Sequence, residues 1–124
     1  MKITDLLKEN INGVEGSFLL KDEKIIECDL EKEKIYFLSK NIHFLLESFS
    51  DSGKDLKKIC IDADKHCRIY FYEDYILGIA ASANVNLPLL EIMSPKLLFT
   101  IEKPAEKKEE VVDEALQRMN AFIG

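Results

Sequence analysis

Apolar positions along the chain recur with two periods. Ile3, Leu6, Leu7 and Ile11 are spaced as one face of a short helix, with Thr4 or Asp5 placed to cap it. Two short apolar runs follow at residues 17–20 and 25–28, separated by Lys21-Asp22-Glu23-Lys24, and predict a hairpin. Residues 31–50 make the strongest helix. Ile35, Leu38, Ile42, Leu45, Leu46 and Phe49 fall within one stripe roughly 100° wide, the ordinary core face. Asp29 and Glu31 suit the positive end of a helix dipole, and Ser52-Gly53 supplies a stop.

Phe37 and Phe44 do not belong to that stripe. They lie seven residues apart and roughly 140° from its centre, with Asn41 and Ser48 beside them. The helix therefore has two apolar faces. The first packs on its own sheet. The second needs cover from another segment or from a second copy of the chain, and we expect the second copy, with Asn41 and Ser48 allowing close helix approach.

Three strand-like runs come next, at residues 56–64, 67–73 and 75–82, with turn signals at Asp64-Lys65-His66 and Glu73-Asp74. The last of them is nearly all apolar, as a buried central strand requires. Asn86 is a helix cap and Pro88 fits the first turn that follows. Leu90, Met93, Leu97 and Ile101 continue the helical spacing, and Pro95 predicts a kink or two short helices. Residues 102–110, EKPAEKKEE, read as a charged, solvated linker. Val112, Ala115, Leu116, Met119, Phe122 and Ile123 line one side of a final helix over residues 111–124. The expected organisation is one domain over 1–101, a linker over 102–110 and the terminal helix.

Composition narrows the function. The chain has 124 residues, 47% of them hydrophobic and 32% charged, which is enough for one core and excludes disorder over most of its length. The formal net charge is −6 and no basic cluster appears, so neither nucleic acid nor an anionic membrane is an expected partner. Three cysteines are too few for a disulfide framework, the N-terminal residues lack the apolar core of a signal peptide, and no apolar run is long enough to span a bilayer. A cytoplasmic location without membrane insertion is expected.

Reactive motifs are scarce. Gly53-Lys54 is isolated, and Gly13 and Gly16 lack the rest of a nucleotide fingerprint. The segment CIDADKHC places Cys60, Asp62 and Asp64 on one strand face, with His66 and Cys67 within a hairpin's reach. Zinc takes such ligands, but tight sites use pairs such as CxxC. Solvated aspartates and small apolar cysteines are the expected reading, so no metal, cofactor or catalytic residue is assigned. Tyr70, Phe71, Tyr72 and Tyr75 are expected to pack on the sheet, and His43 to be packed or at the surface.

The order helix, two strands, long helix, three strands, helix resembles the roadblock/dynein light chain family, over about residues 3–101. The matching residues are Val14-Glu15-Gly16-Ser17-Phe18-Leu19-Leu20, Ile25-Ile26, the long helix, Tyr75-Ile76-Leu77-Gly78-Ile79-Ala80 and Asn86-Leu87-Pro88-Leu89-Leu90. The family usually has an Asp-Gly-like turn where this chain has Asp22-Glu23-Lys24, and often glycine where Pro88 stands. The resemblance implies an α/β (α+β) fold similar to profilin and longin domains: a five-stranded antiparallel sheet, order 2-1-5-4-3, with helices on both faces. It also implies dimerisation through the long helix and third strand, involving Phe37, Asn41, Phe44, Ser48, Leu56, Ile59 and Ile61.

By the same resemblance, the expected function is a non-enzymatic homodimer that regulates or scaffolds a Ras-like small GTPase. Within the family the resemblance is to the prokaryotic small-GTPase regulator type. A small-molecule sensor domain with a cavity between sheet and long helix, or a scaffold subunit without a GTPase, are the alternatives. The terminal helix offers Val112, Leu116, Met119 and Ile123 either to a partner's groove or to its own fold or dimer mate.

Overall fold

The computed structural model describes residues 2–22, 24–31, 40, 42, 47, 48 and 57–123. Helix α1 (Ile3–Asn10) leads into strands β1 (Val14–Lys21) and β2 (Lys24–Cys28). Strands β3 (Lys58–Asp62), β4 (His66–Tyr72) and β5 (Tyr75–Ala81) follow, then helices α2 (Leu87–Phe99) and α3 (Ala105–Ile123). The sheet is antiparallel in the order β2-β1-β5-β4-β3. This is the expected α+β architecture.

Each face of the sheet has its own core. Leu19, Leu77, Ile79 and Tyr70 point to one side and pack under α1, α2 and α3, against Ile3, Leu7, Met93, Leu97 and Ala115. Phe18, Leu20 and Ile69 point to the other side and enclose Ile42, a helical residue of the expected core stripe that is 2% exposed. Strand alternation explains the division, because neighbouring residues of a central strand serve opposite cores.

The central strand, β5, meets its neighbour β1 closely at Gly78. Its register partner on β1 is Phe18, and a methyl group on Gly78 would overlap the Phe18 ring. Glycine is needed there for space. At Gly13 it is needed for conformation as well: φ is +97°, and a Cβ would sit 2.7 Å from Val85 Cα. Both hairpin tips use left-handed residues that are not glycine, Asp22 at φ 49° and Glu73 at φ 51°. Two-residue hairpins favour positive φ at such positions. The tips are tied together by the Asp22 N–H donating to the Asp74 carbonyl at 3.1 Å.

Four details depart from the expected boundaries. Neither Thr4 nor Asp5 caps α1. The N-cap position is Lys2, without a side-chain bond, and the Thr4 N–H and hydroxyl both donate to Glu27 Oε1 on β2, at 3.1 and 3.2 Å. A carboxylate from a distant strand thus meets the positive end of the helix. Strand β1 starts at Val14, earlier than its apolar run, because its early residues pair with β5 through Ala81 and Ala80.

Pro95 lies inside one continuous helix. Its missing N–H removes only the bond to the Glu91 carbonyl, while Leu89, Leu90, Met93, Ser94, Leu97 and Leu98 are buried along the same helix. Asn86 does cap α2, its Oδ1 accepting from the Leu89 N–H at 3.3 Å. The linker expected over 102–110 is largely helix, since α3 begins at Ala105. Ala, Glu and Lys are strong helix formers, and the run is anchored by Lys108, whose Nζ donates to the carbonyls of Lys103 at 2.7 Å and Ile101 at 3.4 Å.

Gly78→Ala is expected to destabilise the fold by about 2 kcal/mol, the usual scale of forced overpacking. Pairing it with Phe18→Leu, which frees the ring's space, should recover part of the loss in urea unfolding.

Candidate functional site

Arg68 is the most constrained charged group among the described residues. Strand alternation on β4 turns it with Tyr70 and Tyr72 toward the helical layer, where its side chain is 4% exposed. Its Nη1 donates to Asp62 Oδ1 at 2.7 Å and its Nη2 to Asp62 Oδ2 at 3.3 Å. Its Nε donates to Glu91 Oε1 on α2 at 3.1 Å, and Nη1 also reaches the Cys67 carbonyl at 3.0 Å. The guanidinium is forked against one carboxylate and bound edgewise by a second, the geometry that suits arginine and not lysine. It ties the end of β3 through β4 to the middle of α2.

The electrostatics follow from that geometry. Arg68, with His66 as the second contact, lowers the Asp62 pKa from 3.8 to about 2. The guanidinium is held in its charged form, chiefly by the bond to Asp62. Burial pushes the Tyr70 phenol up, with the nearby Glu91 charge adding to the effect. Burial likewise pushes the Cys67 thiol up.

The CIDADKHC residues are dispersed by this arrangement. Asp62 serves Arg68 and His66, Cys67 turns to the second core, Cys60 is exposed on β3, and Asp64 is an exposed residue of the turn before β4. Among the described residues, no three His, Cys, Asp or Glu side chains gather to hold a metal ion.

The residues expected at a partner surface fall into three groups. Phe37, Asn41, Phe44 and Leu56 lie outside the described residues, as does His43. Ser48 is helical and exposed. Ile59 is half-buried against the second core, while Ile61 on the same strand is 50% exposed. On α3, Val112 is 6% exposed and Ala115 fully buried, with Leu116 and Met119 packed beside them. That apolar side lies against α1 and α2, so the face offered to a partner is occupied by the chain's own helices. The side chain of Ile123 lies outside the described residues.

The sheet-packing role of the tyrosines is seen directly. Tyr70 and Tyr75 are both buried, and the Tyr72 ring meets Phe99 edge-on, with centroids 4.9 Å apart. A cleft of about 440 Å³, lined by Thr100, Lys103, Lys107, Glu110, Val111, Glu114 and Gln117, lies along α3 and the turn before it. It is not between the sheet and the long helix, where a sensor cavity is expected. No helix among the described residues is long and apolar enough to cross a membrane.

Arg68 and Lys108 were not singled out from sequence. The alternation that places Arg68 beside Tyr70 and Tyr72 was visible, but its partner Glu91 is 23 residues away.

No protein-family model and no curated protein matches the chain. Solved structures do match in fold. One is the crystal structure of a Roadblock/LC7 domain from Streptomyces avermitilis, with a TM-score of 0.58 at 11% identity, covering 96% of this chain and 98% of that one. The chain therefore has a Roadblock/LC7-like fold.

Two measurements probe the Arg68 cluster. Arg68→Met should destabilise less than Asp62→Ala/Glu91→Ala, because the two carboxylates it frees are partly exposed and can hydrate, whereas the double variant leaves a buried cation unpaired and should cost about 3 kcal/mol. Asp62 is protonated near 3.8 in the unfolded chain but only near 2 when folded. Its stabilising contribution is thus complete above about pH 4 and is lost as pH falls toward 2. Asp62→Asn should flatten that part of the stability–pH curve.

Proposed function

We propose that this chain is a non-enzymatic homodimeric adaptor that binds a Ras-like small GTPase in the cytoplasm, regulating it or holding it in a complex. The observation that carries the reading is the fold: the strand order 2-1-5-4-3 and the likeness to a Roadblock/LC7 domain over nearly the whole chain. The residue patterns that resemble the family support it independently.

The dimer surface in this reading is formed by the second face of the long helix, through Phe37, Asn41, Phe44 and Ser48, together with Leu56, Ile59 and Ile61 of the edge strand segment. Half of Ile61 is exposed, which such a surface would cover. A dimer presents one composite surface to a GTPase and biases its switch conformation by binding one nucleotide state more tightly. The chain's arginines bear on how it acts. Of the two, Arg68 is buried and held by two carboxylates, and Arg118 lies exposed on α3. Arg68 is therefore not available as an arginine finger, and activation would work by positioning the GTPase's own residues.

A small-molecule sensor is less favoured, because Phe18, Leu20, Ile42 and Ile69 fill the described part of the second core. A scaffold without a GTPase shares the dimer surface and differs only in its partner.

Light scattering should give a mass twice the 14.2 kDa of the chain, and Phe37→Glu/Phe44→Glu should give monomer or aggregate, since each buried carboxylate would lack a partner. Mixing with Ras-like GTPases from the same genome, loaded with GDP or a GTP analogue, should yield a complex with one state. Absence of any nucleotide-dependent complex would overturn the GTPase assignment.

A further inference from the structure

Helix α2 is apolar on two sides. Leu89, Leu90, Met93, Leu97 and Leu98 are buried in the core between the sheet and the helices. At about 100° per residue, Pro88, Ile92, Pro95 and Phe99 fall within roughly 60° of one another on the opposite side. Pro88 and Phe99 are exposed, Phe99 by 52%, and Ile92 and Pro95 between them are half-buried. A helix lying on a sheet ordinarily carries polar residues on that side. Here an apolar stripe runs along nearly the whole outer length of the helix.

The four stripe residues are separated by four, three and four positions. That is the seam repeat of a helix that packs along a second helix. One charge flanks the seam on each side. Glu91 borders it toward β4, where its Oε1 accepts from Arg68 Nε at 3.1 Å while its side chain stays 39% exposed. Lys96 borders it on the other side, five positions further on. The bond to Arg68 holds the Glu91 carboxylate in place. The Tyr72 ring, edge-on to Phe99, steadies the far end of the stripe.

We propose that this stripe is the seam of a parallel contact between the α2 helices of two copies of the chain. In a parallel pair, a residue on one flank of the seam meets the opposite-flank residue five positions on in the second helix. Glu91 then meets Lys96 of the second copy, and Lys96 meets Glu91 of the second copy, so a two-fold axis along the seam makes both pairs at once. Each of the four apolar residues stacks on its own counterpart. An antiparallel pair puts Glu91 on the same side as Glu91 and Lys96 on the same side as Lys96, and is opposed by like charges. The chain's own α2 thus carries both complementary charges at the spacing its seam demands, which makes a second copy the fitting occupant.

This contact uses neither the long helix nor β3. It adds to the dimer proposed above and does not depend on it. A second isologous contact joins dimers into a closed tetramer or an open chain. The seam is short, so the association belongs to the weak, concentration-dependent class.

Sedimentation and light scattering over a range of concentrations read the contact. The wild-type mass should at least double between dilute and concentrated protein. Phe99→Glu should keep the dilute value throughout, and Lys96→Glu, which sets two like-charged pairs across the axis, should weaken the association about tenfold. Cross-linking reads the direction. Each link forms one S–S bond from two thiols, whose two hydrogens pass to diamide, an azo compound reduced to its hydrazine. Cys60→Ser/Pro88→Cys should link position 88 to position 88 of the second copy. An equal mixture of that variant with Cys60→Ser/Phe99→Cys should give no link between positions 88 and 99, as shown by mass spectrometry. A mass that does not rise with concentration, or that rises alike in wild type, Phe99→Glu and Lys96→Glu, overturns the seam. A link between positions 88 and 99 overturns the parallel arrangement and with it the proposal. Neither result bears on the dimer reading, which is judged by the mass of the dilute protein.

Discussion

Phe18 lies across Gly78, and this contact joins β1 to the central strand β5 beneath the second core. It is possible only because β5 carries no side chain at that point. The residues on either side of it, Leu77 and Ile79, face the opposite core and are fully buried there. A sheet covered on both faces forces its central strands to be apolar in both directions. Among the described residues most charged groups lie on the edge strands, the hairpin tips and the outer sides of the helices, with Arg68 and Lys108 as buried exceptions.

The helical layer is closed by polar contacts that reach over long sequence distances. Glu27 meets the first turn of α1, Glu91 meets Arg68, and Lys108 meets the carbonyls that follow α2. Each places a charge where a backbone or side-chain group of opposite polarity would otherwise be buried without a partner. Arg68 shows the logic most clearly. Its bond to Asp62 holds the end of an edge strand, and its bond to Glu91 orients that edge against α2. The same clamp withdraws the arginine from any role at a partner's active site.

The groups that looked reactive in sequence are used for structure or are dispersed: Asp62 in the clamp, Cys67 in a core, Cys60 on an open edge. Strand β3 ends the sheet, with an exposed isoleucine, Ile61, and a lysine and an aspartate at its two ends. This is the kind of surface through which sheets extend from one molecule to another.

Periodicity alone fixed a good deal. The nearly continuous apolar run at residues 75–82 identified the central strand, Asn86-Leu87-Pro88 identified the start of α2, and Ile42, expected on a core face, is buried in the second core. These are local properties, written in spacing and in the chemistry of a cap. The partners of Arg68, Thr4 and Lys108 were not legible, because each bond joins elements that meet only after the chain has folded. The charged run at 102–110 shows the same limit from the other side. Its residues favour helix, but whether they form one depended on α1 and α2 offering Val112 and Ala115 a place to bury. Spacing names the face that must leave water; only packing in three dimensions decides what covers it.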